Sequence, residues 1–273
     1  MAVTMADIQQ LRKMTGAGMM DCKSALDEAK GDFDKAVEII RKKGQAVAAK
    51  REDREASEGC ALAKTEKGHG AVVALQCETD FVAKNAEFIA LTEQILDIAL
   101  SNKPETVEEL LALPMEDTTV SEKITERIGT TGEKMELGYY EYITAPTVVH
   151  YIHPGNKLAT IVGFNKEDVD VEVAKDVAMQ VAAMNPLAVT SDQISEDLKQ
   201  KEMDIARDKA REAGRPEHIL DRIAEGSLEK FFKDNTLLQQ EYVKDNKLSI
   251  DEYMKQNDKE LTVTDFKRVS LNA

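Results

Sequence analysis

The chain is poor in cysteine, has no long apolar run and carries fewer basic than acidic residues. Its three cysteines, Cys22, Cys60 and Cys77, show no C-x-x-C spacing, and an odd number without a secretory signal is typical of reduced thiols in a cytoplasm. The first residues lack the basic start and apolar stretch of a signal peptide, and no apolar run approaches membrane-spanning length. The sequence therefore predicts a soluble, cytoplasmic protein that does not contact a membrane.

The shortage of basic residues limits the kinds of partner. Lys and Arg total 36 against 51 Asp and Glu, which gives a formal net charge of -15. Because binding to a nucleic-acid backbone over a broad surface depends on basic side chains, this balance argues against it. The hydrophobic fraction of 42% is enough for folded cores, and the charged fraction of 32% indicates several solvated helices. The partner is therefore predicted to be a protein or a small molecule.

Residues 1–55 predict a small helical domain followed by a charged linker. Thr4 and Asp7 have the spacing of a capping box, in which each residue's side chain binds the backbone of the other at the start of a helix. The apolar face of that first helix includes Met14, which is predicted to point inward. Two further helices follow, and the last is predicted to end just before Gly44. The segment thus predicts a three-helix bundle with a small core.

The rest of the chain predicts two related α+β halves with a helical insertion. The first half is assigned to residues 56–139, and the second to residues 140–190 and 233–273. In each half a β-hairpin leads into a helix, and the first of these helices begins after Asn85. Residues 191–232 are polar with a narrow apolar seam, which predicts an inserted coiled-coil hairpin of two helices. The insertion is either a self-contained hairpin or an arm for dimerisation.

The junction between the first hairpin and its helix is unusual. It reads Thr79, Asp80, Phe81, Val82, whereas such junctions usually carry small polar residues. The corresponding junction of the second half, residues 165–168, is entirely polar, and this contrast favours a function for Phe81. Two interpretations remain open. Phe81 either folds back over the helix as a plug or projects outward as a wedge that enters a pocket on a partner.

Motifs that would indicate catalysis or metal binding are missing from the sequence. The Gly16–Gly18 segment lacks the third glycine of a dinucleotide-binding fingerprint and follows a helix instead of a strand. The chain has no G-x-x-x-x-G-K-[ST] phosphate-binding loop. His150 and His153 lie close together on a predicted strand, but no third metal ligand is near them. The sequence therefore predicts no metal site, no cofactor and no enzymatic activity.

Two specific motifs in the chain resemble those of the bacterial elongation factor Ts family. They are the runs Thr15–Lys23, which reads TGAGMMDCK, and Thr79–Lys84, which reads TDFVAK. Supporting similarity lies in Ala178–Ala183 and in Tyr151–His153, and the resemblance covers essentially the whole chain. It implies a ubiquitin-associated-like (UBA-like) helical domain followed by two related halves that carry a coiled-coil arm. The chain departs from the family pattern toward its C-terminus, in the loop of residues 234–245.

The resemblance also implies a function. The family is the guanine-nucleotide exchange factor for elongation factor Tu, and it acts by promoting the release of GDP. The residues implied to disturb the Mg²⁺ and phosphate site of that partner are Thr79, Asp80, Phe81 and Val82. The implied further partner contacts are Met19, Met20, Lys23 and His153. A plain helical interaction module is the alternative, and a metabolic enzyme is a third hypothesis that no motif supports.

Overall fold

The chain combines helices and antiparallel sheets, as its sequence predicts. The structure is a computed structural model that describes residues 3–271. The ends of the predicted ranges 1–55 and 233–273, namely residues 1–2 and 272–273, lie outside the described residues. The same holds for the start of the N-terminal stretch that lacks the pattern of a signal peptide. None of the helices within residues 3–271 is long and apolar enough to cross a membrane.

The N-terminal segment consists of three helices around a small core. They are α1 (Met5–Thr15), α2 (Met19–Glu28) and α3 (Phe33–Ala49). The predicted capping box of α1 is confirmed, because the Asp7 N–H donates to the Thr4 hydroxyl and the Thr4 N–H donates to the Asp7 carboxylate. The prediction that Met14 points inward is wrong. Its side chain is 58% exposed and lines a cleft beside the core, because Leu11 already fills the interior of the bundle.

The middle of the chain forms an antiparallel sheet with helices on one face. The elements of this part of the chain are β1 (Glu58–Glu66), β2 (His69–Cys77), α4 (Asp80–Ala83), α5 (Ala86–Asn102), α6 (Val107–Ala112), β3 (Pro114–Met115), β4 (Thr118–Thr119), α7 (Val120–Thr131) and β5 (Met135–Thr144). The predicted hairpin of β1 and β2 is confirmed, and Asn85 caps α5 by accepting a hydrogen bond from the Glu87 N–H at 2.9 Å. The sequence does not predict β5, an edge strand that pairs with β2 and whose register shifts at Gly138, so the predicted boundary between residues 139 and 140 falls inside this strand.

The remaining elements repeat this pattern and add a pair of long helices. They are β6 (Thr147–Ile152), β7 (Leu158–Phe164), α8 (Val171–Met184), α9 (Glu196–Glu212), α10 (Leu220–Asn235), β8 (Glu241–Tyr242), β9 (Asp245–Ser249), α11 (Ile250–Asn257) and β10 (Val263–Ser270). Helices α9 and α10 pack against each other through buried residues that include Ala206, Ala210 and Ala224. The second hairpin and the C-terminal strand are confirmed, since β7 pairs with both β6 and β10.

The two three-stranded sheets share one topology and pack face to face. The strand orders are β1-β2-β5 and β6-β7-β10, so in each sheet the second strand of a hairpin lies centrally and a later strand pairs with its free edge. This is the arrangement that the predicted internal repeat requires. Between the sheets lies a layer of small and branched side chains, namely Ala61, Ala63, Val72, Ala74, Ile143, Val148, Ala159, Ile161 and Val269. The outer face of each sheet is covered by helices, so the sheets form the rigid centre of the molecule.

Gly44 does not end α3 as the sequence predicts. The helix continues to Ala49, and Gly44 lies where α3 crosses α7. A Cβ atom placed on Gly129 of α7 would lie only 2.6 Å from the Gly44 Cα atom. The two glycines thus allow the backbones of the helices to approach closely, which a side chain on Gly129 would prevent. This crossing, together with ion pairs from Arg41 to Asp117 and Glu126, attaches the three-helix segment to the rest of the chain.

We predict that Gly129→Ala destabilises the protein whereas Gly44→Ala does not. Overpacking costs about 1–3 kcal/mol, and replacing a helical glycine by alanine returns about 1 kcal/mol. For Gly44→Ala the nearest atom to the new methyl group is the Thr125 carbonyl oxygen at 3.4 Å, an ordinary contact, so only the gain in helix propensity remains. Urea unfolding of both variants measures the difference. Equal stability of the two variants would contradict the close crossing.

Candidate functional site

The junction after β2 is a short, capped turn. Thr79 adopts an extended conformation and caps the single-turn helix α4, with its hydroxyl accepting a hydrogen bond from the Val82 N–H at 3.4 Å. The Thr79 carbonyl accepts a second hydrogen bond from the Ala83 N–H at 3.1 Å. Two residues later Asn85 caps α5. The chain therefore passes from strand to helix with most of its backbone groups bonded, which restricts the directions in which its side chains can point.

Phe81 projects from this turn into solvent. Its side chain is 84% exposed, the highest value for a large apolar side chain among residues 3–271. The interpretation of Phe81 as a plug folded over the helix is therefore wrong. The residues that anchor the turn are its neighbours, because Ala83 is buried and Val82 packs against the core beneath the first sheet. An aromatic side chain on an anchored turn leaves its whole ring available for contact with another molecule.

Asp80 lies beside Phe81 and is held by an ion pair. Its carboxylate accepts a hydrogen bond from the Lys84 ammonium group at 2.6 Å. This hydrogen bond and, more weakly, the charge of Lys157 lower the pKa of the Asp80 carboxyl below its usual value. Asp80 is therefore ionised at neutral pH and remains accessible to solvent. The junction presents a negative charge next to an apolar ring.

The turn between β6 and β7 lies at the same end of the molecule. Lys157 in this turn forms an ion pair with Glu58 at 2.7 Å, and Glu58 pairs in register with Cys77 at the end of β2. His153, where the turn begins, is exposed, and its Nδ1 shares a hydrogen bond of 3.0 Å with the Tyr151 hydroxyl. The structure thus brings the predicted contact His153 onto the same end as the junction, although the two belong to different halves of the chain.

The predicted contacts in the helical segment lie on α2. Met20 is 75% exposed and Lys23 is exposed, whereas Met19 is half-buried against the core of the three helices. Just before α2, a Cβ atom on Gly16 would lie 3.8 Å from a methyl group of Thr130, near the C-terminal end of α7. The chain leaves α7 at this end, and the next residues, Glu133 and Lys134, form hydrogen bonds with Thr79 and Glu78. The predicted contacts of the helical segment and those of the junction therefore lie near one end of α7.

Two glutamates that no sequence motif indicates hold the junction in place. The Glu133 carboxylate accepts hydrogen bonds from the Thr79 N–H at 3.1 Å and from the Thr79 hydroxyl at 2.7 Å. In the opposite direction, the Glu78 carboxylate accepts a hydrogen bond from the Lys134 N–H at 2.7 Å and another from Arg54 at 2.8 Å. We call this reciprocal arrangement of residues 78–79 and 133–134 the carboxylate clasp. The two segments of the clasp are more than 50 positions apart in sequence, so no local sequence pattern indicates it.

The described residues offer little for covalent chemistry. His150 and His153 have different partners, since His150 Nδ1 shares a hydrogen bond with the Thr65 hydroxyl at 3.1 Å. No group of three or more His, Cys, Asp or Glu side chains within residues 3–271 could hold a metal ion. Burial raises the pKa of Cys60 to about 11 and that of Cys77 to about 12, so neither is a thiolate at neutral pH. What the site presents is a surface for contact.

Comparison with known proteins gives the site a context. A family model described as "Elongation factor TS" matches residues 78–273, from the junction to the end of the chain. The protein named Elongation factor Ts from Porphyromonas gingivalis is 61% identical over 274 aligned residues, which cover all of both chains. Its namesake from Azobacteroides pseudotrichonymphae is 56% identical over 272 residues, covering 100% of this chain and 99% of the relative. That from Bacteroides fragilis is 49% identical over 330 aligned positions, again covering both chains in full.

These matches place the protein in the class of translation elongation factors, which act in protein biosynthesis. Within that class, the chain belongs to the elongation factor Ts family. The alignment with the Bacteroides relative is longer than the 273 residues of this chain, so that relative contains segments that this chain lacks.

The clasp predicts a pH dependence of stability at the junction. Burial raises the pKa of Glu78, but the hydrogen bonds from the Lys134 N–H and from Arg54 together lower it by a larger amount. The pKa of Glu78 therefore lies below the usual value of 4.5. Because the folded-state pKa is lowered, the stabilisation is fully present above pH 4.5 and is lost as the pH falls through the folded-state pKa.

We therefore expect Glu78→Gln to lower the free energy of unfolding at pH 7 by about 1.5–3 kcal/mol, the contribution of a hydrogen bond to a charged group. The deficit should shrink progressively below pH 4.5. Chemical unfolding of both proteins between pH 3 and pH 7 measures it. A deficit that stays constant over this range would show that the charge of Glu78 does not stabilise the junction.

Proposed function

We propose that this protein is a guanine-nucleotide exchange factor in translation elongation. It binds elongation factor Tu carrying GDP, disturbs the Mg²⁺ and phosphate site and promotes release of GDP, so that GTP can bind. The observation that supports this proposal most directly is the 84% exposure of Phe81 on a turn held by the carboxylate clasp. Such a protein forms and breaks no covalent bond in its partner, and it acts in the cytoplasm.

The free energy needed for nucleotide release explains why Phe81, which forms the tip of the junction, is carried by so large a protein. An acceleration of GDP release by about 10⁴ requires about 5.5 kcal/mol, since each factor of ten corresponds to about 1.36 kcal/mol. Burial of one Phe side chain contributes only about 1.5–3 kcal/mol. The remaining free energy must come from other contacts, because an exchange factor stabilises the state of its partner that holds nucleotide poorly. A tip combined with further contacts on the same end of the molecule meets this requirement.

Each predicted contact receives a role in the proposal. Phe81 enters the nucleotide-binding domain of elongation factor Tu, while Thr79, Asp80 and Val82 accompany it toward the network that holds Mg²⁺. Because methionine is flexible and polarisable, exposed Met20 suits an adaptable contact. The further contacts that extend the interface are Met19, Met20, Lys23 and His153.

The larger organisation also enters the proposal. Residues 1–55 form a UBA-like contact domain with its linker, and residues 56–139, together with the rest of β5 up to Thr144, form the half that carries Phe81. The other half lies within residues 140–190 and 233–273, and residues 191–232 form a coiled-coil arm through which the protein can dimerise. No nucleic acid or membrane takes part directly, and the protein needs no cofactor.

One assay tests the function itself. Fluorescent GDP is loaded onto elongation factor Tu, and its release is followed with and without this protein. The proposal predicts an acceleration that saturates with the concentration of the protein. Binding without acceleration would contradict the proposal and would support a plain helical interaction module.

We predict that Phe81→Ala lowers the maximal rate of GDP release by about 10-fold or more, because it removes the apolar burial that the tip supplies. Stopped-flow release at saturating concentrations of the variant measures this rate. Met20→Ala should differ, since it removes a contact away from the nucleotide site and should weaken the affinity while leaving the maximal rate unchanged. Val171→Ala, at another exposed apolar residue, is the matched control. A maximal rate unchanged in Phe81→Ala would refute the wedge.

Asp80 is tested by separating its charge from its ion pair. We expect Asp80→Asn to retain partial activity at millimolar Mg²⁺ and its defect to shrink when Mg²⁺ is chelated, because the charge then has no metal network to disturb. Lys84→Met removes the ion pair but keeps the carboxylate, so it should retain the maximal rate of GDP release. Should Lys84→Met reproduce the defect of Asp80→Asn, or should that defect be equal at both Mg²⁺ levels, Asp80 would act only on the local structure.

A further inference from the structure

Glu133 is placed to control the direction in which Phe81 projects. It follows Gly132, which ends α7 in the left-handed conformation with φ = 73° and turns the chain toward the junction. The Glu133 N–H donates to the Thr131 hydroxyl at 3.3 Å, so the residue is fixed at its own backbone. Its carboxylate then reaches Thr79 across a separation of 54 positions in sequence.

Thr79 passes this constraint to the helical turn that carries Phe81. Its hydroxyl can donate only one hydrogen atom, and the 2.7 Å bond to Glu133 uses it. The oxygen lone pairs are thereby directed toward the Val82 N–H, one of the unpaired donors at the start of α4. The Thr79 carbonyl is bonded as well, to the Ala83 N–H and to the Cys77 thiol at 3.3 Å. Glu133 therefore sets the orientation of the Thr79 hydroxyl, which caps the single helical turn that carries Phe81.

The short length of α4 makes this control important. A helix of four residues has too few internal hydrogen bonds to be stable by itself, so its geometry depends on its cap and on its attachment to the core. The side chain of Phe81 makes no packing contact that would fix it, since it is 84% exposed. Loss of the bonds from Glu133 would therefore remove a constraint on the orientation of the turn and of the ring that it carries.

We propose that Glu133 is a positioning residue for nucleotide exchange, which acts on the partner only through Thr79 and the Phe81 tip. This inference rests on the proposed exchange function. It differs from a purely structural role in what it affects. Loss of the correct orientation reduces the maximal rate of GDP release, whereas the wide docking surface and hence the affinity are retained.

The test is a double-mutant cycle with Glu133→Ala and Phe81→Ala, measured as the maximal rate of GDP release from elongation factor Tu. We expect Glu133→Ala alone to lower this rate about 10-fold, which corresponds to ~1.4 kcal/mol. In the Phe81→Ala background it should change the rate by less than about 2-fold, because there is no ring left to position. Glu133→Gln, which keeps one acceptor oxygen, should restore part of the rate. An equal loss in both backgrounds would overturn the inference.

Glu136→Gln is the matched control. It removes the same charge three residues away, where the carboxylate pairs with the Lys134 side chain at 3.0 Å, whereas the hydrogen bonds from Thr79 go to Glu133. This variant should keep the wild-type rate of GDP release, and an equal defect in it would assign the effect of Glu133 to charge alone.

A measurement on the free protein separates this inference from the exchange function. Amide hydrogen exchange at Thr79 and Val82 should be faster in Glu133→Ala than in the wild type and unchanged in Glu136→Gln. Unchanged amide hydrogen exchange in Glu133→Ala would overturn the positioning role, whether or not the protein accelerates the release of GDP from elongation factor Tu. A different outcome is that the wild type fails to accelerate GDP release while amide hydrogen exchange at Thr79 is still faster in Glu133→Ala. In that case the nucleotide-exchange function is contradicted and the carboxylate clasp is supported.

Discussion

The carboxylate clasp is the interaction on which the presentation of Phe81 depends. Glu133 binds the backbone and hydroxyl of Thr79, while Glu78 binds the backbone of Lys134, so two distant segments each hold the other. Hydrogen bonds to ionised carboxylates are stronger than neutral ones, and those of Glu78 and Glu133 are partly shielded from solvent. The turn between them can therefore expose an apolar ring without collapsing onto the helix behind it. That exposure is what a partner would recognise.

The clasp works because its base is rigid. Both sheets have the same strand order and are pressed together through small side chains, and helices cover their outer faces. This duplicated frame holds the β6–β7 turn next to the junction through the ion pair of Lys157 and Glu58. The three-helix segment is tied to the same region, because Arg51 and Arg54 from its linker bind Glu78. Proposed contacts from three parts of the chain are in this way held by one support.

Local sequence patterns predicted the hairpins, the helix caps and the residues of the junction, since each of these is determined by neighbours a few positions apart. They failed where the outcome depends on distant parts of the chain. Gly44 looked like the end of a helix, but its role is set by Gly129 on another helix. The direction of Phe81 stayed open because it depends on Glu133, 54 positions from Thr79. The edge strand β5 also escaped prediction, because Gly138 breaks its alternation where the register shifts.

The central claim is that the ring of Phe81 enters the partner. Fluorine NMR of the protein carrying 4-fluorophenylalanine tests it directly, with the resonance of position 81 assigned by comparison with Phe81→Leu. In the free protein this resonance should show the solvent isotope shift between H₂O and D₂O that an exposed ring gives. On addition of elongation factor Tu with GDP, the account predicts that the resonance moves and loses that isotope shift. A resonance that keeps its full isotope shift in the complex would contradict the claim.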